Sequence, residues 1–214
     1  MTEATVIIAD DHPLFRTALK QAIHQCLDTK TILEAENVSD LLLCIESNPQ
    51  LELVFLDLHM PGNNGFTALT LLQNHHPDLL VIMVSSDDDP EIMQRAIDFG
   101  AAAFIPKSAD LNVISDAIAQ VLEGQIWLPA DFDLTADTEQ QNNKKLAQQL
   151  AGLTPQQYVV LTRIADGQLN KQIAYDLDIK ETTVKKHVSA ILEKLCVSNR
   201  TKAGMLFQQL KLNS

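Results

Sequence analysis

Residues 53–65 read Leu-Val-Phe-Leu-Asp-Leu-His-Met-Pro-Gly-Asn-Asn-Gly, "LVFLDLHMPGNNG". The first four are apolar without alternation, as expected of a strand covered on both faces, and such strands belong to parallel sheets flanked by helices. The run stops on a carboxylate, Asp57, and turn-forming residues follow. The same ending recurs at residues 6–13, "VIIADDHP", where two adjacent acids, Asp10 and Asp11, close an apolar run.

Working outward, short β-branched runs alternate with segments of helical period throughout residues 5–123. Thr5–Ala9, Thr31–Ala35, Leu53–Leu56, Leu80–Val84 and Ala103–Ile105 are the predicted strands. Ser39 precedes the helical "DLLLCIESN" and Pro49 follows it, while Asp89-Pro90 opens "EIMQRAIDF" and Gly100 closes it. Five βα units in succession predict an α/β fold, a five-stranded parallel doubly wound sheet of flavodoxin-like type. In such sheets ligands bind outside the carboxyl ends of the strands.

Residues 125–150 change character, with Gln, Asn, Asp and Thr prominent and apolar residues only at the two ends. They read as a flexible linker holding a helical turn or two near Lys144–Leu150. From residue 151 every signal is helical. Thr154-Pro155-Gln156-Gln157 is a capping-box opening, and Gly167 stands where a left-handed C-cap belongs. Asn170 is positioned to cap a short helix, Glu181–Leu195 forms a longer one after a brief turn, and Asn199 caps a last helix, Arg200–Leu210. Short helix, tight turn and longer helix make a helix-turn-helix within a four-helix, all-α module. The expected modules are therefore residues 1–124 and 151–214, joined by 125–150.

Charge follows the same division. Residues 1–124 carry 5 Lys/Arg against 19 Asp/Glu, whereas residues 151–214 carry 9 against 5, so net charges of −14 and +4 sit in one chain of −12. An acidic whole chain argues against a nucleic-acid partner, yet phosphate affinity depends on the local field of the module that docks. Cys26, Cys44 and Cys196 lie far apart, with no metal-ligand spacing, and are expected to be reduced thiols of a cytoplasmic protein. No apolar stretch reaches the ~20 residues that span a bilayer, and no membrane partner is expected.

In a doubly wound sheet the ends of strands one and three adjoin, so Asp10, Asp11 and Asp57 are expected to converge. Three like charges need a cation in a dry site, and a hard divalent ion such as Mg²⁺ suits carboxylates, water and phosphate oxygens. Ser85 ends strand four and Lys107 follows strand five. A hydroxyl, an ammonium and a divalent cation around one carboxylate are what a phosphoryl group needs, with Asp57 as its nucleophile. His12 is read as a helix-start residue, Asp87-Asp88-Asp89 as a loop and helix cap, and His75-His76 as surface.

"ADDHP", "LVFLDLHMPGNNG", "VSS" and "FIPKS", in this order, resemble the receiver domain of two-component response regulators. The resemblance implies that Asp57 is the phosphoacceptor and that Asp10 and Asp11 hold Mg²⁺ with the main-chain carbonyl of His59. It makes Ser85 and Phe104 the switch pair and gives the phosphoryl oxygen to Lys107. In this chain Pro106 precedes that lysine and Ser108 follows it, where many receivers have Pro.

In "IKETTVKKHVSAILEKL" the residues Val184, Val188, Ile191 and Leu195 form an apolar stripe, and Thr182, Lys185, Lys186 and Ser189 fall opposite it. Such a helix offers short polar and cationic groups to a major groove. The longer stretch from Leu153 to Ala203 resembles the LuxR-type output domain of the NarL/FixJ subfamily. By that resemblance Lys185 and Lys186 are the leading DNA contacts, His187, Asn170, Lys171 and Arg200 are phosphate-backbone candidates, and the last helix is a dimerisation helix. Lys180 replaces a common serine cap and offers a cation for phosphate in exchange. The expected protein is a DNA-binding transcription regulator, not an enzyme. A sensor histidine kinase phosphorylates it, it binds promoter DNA, and it forms a homodimer when active, with the receiver masking the DNA-binding helices at rest. Two rivals stand beside it: a Mg²⁺-dependent phosphatase working through an aspartyl phosphate, and a DNA-binding protein whose receiver serves only as an interaction surface.

Overall fold

The computed structural model describes residues 5–27, 31–129, 132 and 138–211. Strands β1 (Thr5–Ala9), β2 (Ile32–Ala35), β3 (Leu51–Asp57), β4 (Leu80–Ser85) and β5 (Ala103–Pro106) form one parallel sheet in the order β2-β1-β3-β4-β5. Crossover helices α1 (Pro13–Cys26), α2 (Val38–Ser47), α3 (Thr67–His75) and α4 (Pro90–Asp98) connect them, and α5 (Leu111–Leu122) follows. The alternation along β1 shows the double winding. Val6 and Ile8 join the apolar cluster that holds Leu19 and Ile23 of α1 and Ile114 and Ile118 of α5. Ile7 and Ala9 join the opposite cluster, with α2, α3 and α4. The predicted fold class therefore holds, and β3 is longer than its apolar run because Leu51 and Asp57 still pair in the ladder.

Three local expectations change. Asn37, not Ser39, caps α2, its side chain accepting from the Asp40 amide. Asn170 is the first residue of its helix rather than the cap; the Gln172 side chain instead accepts from the Leu169 amide at 2.7 Å. The third change concerns residues 125–150. Trp127 pairs alongside β5 at Ala103, and a fourteen-residue helix, α6 (Thr138–Ala151), lies against α3 and α4. Leu146 and Leu150, one turn apart, are buried there. Asn143 donates to Asp98 at 3.2 Å, and Asn74 of α3 donates to the carbonyls of Leu150 and Leu153. The described residues of this segment are packed down, where the sequence suggested a flexible tether with a turn or two.

Helices α7 (Pro155–Ala165), α8 (Asn170–Asp176), α9 (Glu181–Lys194) and α10 (Arg200–Gln208) complete the chain. Thr154 and Gln157 make the expected reciprocal capping box, and Gly167 takes φ +79 past the end of α7. Asp178 supplies a left-handed residue, φ 51, in the turn between α8 and α9.

Candidate phosphoacceptor and nucleic-acid sites

Asp10, Asp57 and Ser85 are all fully buried at the carboxyl ends of β1, β3 and β4. Lys107, just beyond β5, brings its ammonium 2.7 Å from Asp10 Oδ2 and 2.9 Å from Asp57 Oδ2. Among the described residues no other donor makes a hydrogen bond to either of these two oxygens. Asp11 is more open, and one oxygen from each of Asp10, Asp11 and Asp57 lies within 4.8 Å of the others. The expected convergence of Asp10, Asp11, Asp57 and Lys107 is thus present. Burial pushes the Asp57 carboxyl above the ordinary carboxylate range; Lys107 pulls it down and the neighbouring Asp10 pushes it up again.

The turn after Asp57 is built from local hydrogen bonds. Asn63 donates to the carbonyls of Asp57 (3.0 Å) and Leu58 (3.1 Å), and Gly62 takes φ +85, a conformation that a side chain would strain. The His59 amide donates to Asp57 Oδ1 at 3.2 Å, which sets the peptide of His59 beside the carboxylate. Ser85 Oγ accepts from the Asp87 amide at 3.1 Å, and its carbonyl accepts from the Lys107 amide. Phe104 is fully buried in the cluster that holds Met83, Met93 and Phe99.

Several groups surpass their sequence reading. His12 does open α1, but its Nδ1 also lies 2.8 Å from Asp11 Oδ1 and 3.2 Å from Asp10 Oδ1, over the acids. Asp87 is more than a loop residue, since His59 Nε2 meets it at 2.5 Å across the mouth of the site. Asp89 caps α4, as expected. His75 is half-buried with an unpartnered Nε2, not a surface group, and burial holds its pKa below the ordinary value. Arg16, absent from the sequence reading, is buried on α1 and donates to the Asp10 carbonyl at 2.7 Å. Its signal lay in plain sight: Arg16 falls on the same helical stripe as Leu19 and Ile23.

The helix-turn-helix is equally specific. Val184, Ile191 and Leu195 are buried and Val188 packs against them, while Thr182, Lys185, Lys186 and Ser189 are exposed. Lys185 pairs with Glu181 at 2.9 Å, a surface contact easily exchanged for a phosphate. Lys171 and Lys180 are also exposed, and His187 is half-buried. Asn170 and Arg200 are not free for a backbone phosphate here. Arg200 Nη1 donates to Asn170 Oδ1 at 2.9 Å and Nη2 donates to the Gln168 carbonyl, pinning α10 to the start of α8. The expected masking also takes a different form: the polar face of α9 is open, and the receiver instead grips α7 and the end of α10. Tyr158 donates to the Thr67 carbonyl at 2.9 Å, the Phe66 amide donates to Leu210, and Arg95 donates to Gln209.

A phosphoacceptor-type α/β module followed by a helix-turn-helix module defines the class of DNA-binding response regulators. Two family models match in that order, a response regulator receiver domain over residues 6–119 and the bacterial regulatory proteins of the luxR family over residues 151–207. The chain belongs to the two-component response regulators of the NarL/FixJ subfamily, which are transcription regulators and not enzymes. It is 41% identical to the glycerol metabolism activator of Pseudomonas putida, across 92% of each chain. It is 31% identical to the nitrate/nitrite response regulator protein NarL of Escherichia coli K12, across 98% of this chain and 97% of that one. Among solved structures, RcsB of Salmonella enterica serovar Typhimurium bound to a promoter superposes with a TM-score of 0.56 at 22% identity, covering 98% of this chain and 100% of that one. That likeness is one of fold. No helix of the described residues is long and apolar enough to cross a membrane.

Proposed function

We propose that Asp57 is the phosphoacceptor and that its phosphorylation by a sensor histidine kinase governs promoter binding. The observation that carries this reading is the meeting of Asp10, Asp57 and Lys107 at three strand ends in a buried pocket. The acidic ligands suit a hard divalent cation, because two fully buried carboxylate oxygens, on Asp10 and Asp57, share a single ammonium, that of Lys107. Asp10, Asp11, Asp57 and the His59 carbonyl would hold Mg²⁺, which when bound neutralises phosphoryl oxygen charge. An Asp57 carboxylate oxygen attacks phosphorus, and the leaving group is the imidazole of the kinase. Lys107, already at the carboxylate, turns its ammonium to the transferred group. Ser85 donates a hydrogen bond from its hydroxyl to a phosphoryl oxygen, and Phe104 repacks as the β4 end moves.

The output follows from the elements that carry these residues. Helix α3 continues from Asp57 and α4 from Ser85, and these helices bear Thr67, Thr70, Asn74 and Arg95, the groups that hold the output module. Phosphorylation loosens that hold, the module pairs with a second copy through α10, and Thr182, Lys185, Lys186 and Ser189 enter the major groove, with His187, Lys171 and Lys180 nearer the phosphates. Asn170 and Arg200 are proposed as phosphate contacts only after their mutual bond opens. The modules are taken as residues 1–124 and 151–214, and the location as cytoplasmic. The name of the Pseudomonas putida relative favours activation over repression.

Footprinting on genomic DNA with the full chain tests this reading. With Mg²⁺ and a small acyl phosphate, wild type should bind at least tenfold more tightly, and Asp57→Ala should not respond. Equal affinities throughout would favour a receiver used only as an interaction surface. Phosphomonoester turnover lost in Asp57→Asn would favour the phosphatase.

A further inference from the structure

Helix α1 buries a stripe made of Leu19, Ala22, Ile23 and one cation, Arg16, whose side chain is 10% exposed. A guanidinium in such a place must be paired, since an uncompensated buried charge is strongly destabilising. All three of its nitrogens are used. Nη1 donates to the Asp10 carbonyl at 2.7 Å, Nε to Glu34 Oε2 at 2.9 Å, and Nη2 to Glu36 Oε1 at 2.8 Å. Glu34 belongs to β2 and Glu36 follows it, so one side chain ties α1 and the β2 end to the end of β1.

The rest of Asp10 is held as tightly. Its amide donates to the Ala35 carbonyl at 3.0 Å, and its Oδ1 accepts from the His12 amide at 2.7 Å. With the carbonyl taken by Arg16 and Oδ1 by the His12 amide, Oδ2 is left to face the Lys107 ammonium at 2.7 Å and the Asp57 side. Lys20 also reaches Glu34, and these two cations hold the Glu34 carboxyl below its ordinary range, so the pair network is charged at neutral pH.

We propose that Arg16 is a positioning residue for the divalent-cation site: by clamping the Asp10 carbonyl to Glu34 and Glu36, it aims Asp10 Oδ2 into the pocket. Groups that orient metal ligands without touching the metal typically change affinity by about 10–100-fold when removed. The proposal rests on the reading of Asp10, Asp11 and Asp57 as a Mg²⁺ site.

Mg²⁺ titration of the full chain, followed through the amide chemical shifts of Asp10, Asp11, Asp57 and His59, tests it. Arg16→Met keeps the apolar stem and leaves Glu34 paired with Lys20; its Mg²⁺ affinity should fall about tenfold. Arg16→Lys, which can reach the Asp10 carbonyl, should recover most of that loss. Glu36→Gln, altering an exposed partner, should stay within about twofold. In an Asp10→Asn background Arg16→Met should have no further effect on Mg²⁺ affinity, because the clamp acts through Asp10; a merely structural role would give additive losses. Should Arg16→Met not fold, Arg16→Gln, with one donor left, should still weaken Mg²⁺ severalfold. An affinity within twofold of wild type in whichever of these two variants folds, or full additivity with Asp10→Asn, overturns the proposal. Asp11→Asn separates the two ideas: if it binds Mg²⁺ as wild type does, the cation-site reading fails and Arg16's role falls with it. If it abolishes binding while the Arg16 variants stay unchanged, only the clamp is wrong.

Discussion

Asp57 is a charge that the fold by itself would be more stable without. Its carboxyl titrates above the ordinary range because burial disfavours the anion more than Lys107 favours it. A carboxyl whose pKa is raised on folding contributes stability below the unfolded pKa, and that contribution is lost as pH rises through the folded value. At neutral pH the anion is therefore a burden. Asp57→Asn should raise stability, because it removes a buried anion that repels Asp10 while Lys107 keeps Asp10 as its partner. Thermal unfolding without divalent cations checks the sign, and an Asp57→Asn protein that melts lower than wild type would contradict it. Millimolar Mg²⁺ should raise the melting temperature of wild type and leave that of Asp57→Asn nearly unchanged. His75 has the opposite sense. Its pKa is depressed by burial, so it contributes stability above its unfolded pKa that is lost as pH falls. At this scale the sequence revealed Asp10, Asp11, Asp57 and Lys107 because acids and an ammonium at strand ends are rare in combination. It could not reveal that His12 leans over the acids or that His59 meets Asp87, because both depend on how loops from different strands close over the site.

Helices α7 and α6 mark the limits of reading elements from their own residues. Helix α7 carries its start and stop signals in sequence, and Thr154→Ala should cost about 1 kcal/mol by removing the side-chain acceptor for Gln157. Urea unfolding of the two proteins side by side checks that figure. Helix α6 is harder to read, since "TEQQNNKKLAQQLA" offers only Leu146 and Leu150 as large apolar anchors one turn apart. A polar helix of that kind is held by what it packs on, α3 and α4, and tertiary support does not show in local pattern. Leu150→Ala should accordingly cost about 2–5 kcal/mol, as expected for truncating a fully buried leucine. A loss under about 1 kcal/mol, well below that range, would mean that α6 is laid on the receiver without being needed by it. Asn170 and Arg200 teach the converse lesson. Their types suit phosphate contacts, yet the fold spends them on each other, and a sequence pattern names cations without showing which are already paired.

At the scale of the whole molecule, the proposed control of DNA binding turns on where the receiver holds the output module. The apolar cluster on the α2–α4 side of the sheet runs on without a break through Leu146 and Leu150 to Tyr158, Val184 and Phe207. Polar contacts pin it at separate points: Tyr158 to Thr67 and Thr70, Asn74 to the end of α6, and Phe66 and Arg95 to the carbonyls that end α10. Arg95 also stacks over the Phe66 ring at 5.0 Å, so the two groups holding α10 support each other. Because the polar face of α9 stays exposed, the restraint proposed above acts through the pose of α10 and not by covering that face. A module held this way can touch DNA as a monomer but cannot freely choose the geometry of a pair. Tyr158→Phe removes one hydroxyl from a fully enclosed site and should weaken the hold by about 1 kcal/mol, the usual net worth of such a bond. Unphosphorylated Tyr158→Phe should then bind a two-half-site promoter up to about fivefold more tightly than wild type. Its affinity for a single half-site should not change, because α9 was open from the start. If single-site binding rises as much as paired-site binding, the receiver restrains the reading face after all, and the restraint on α10 is incidental.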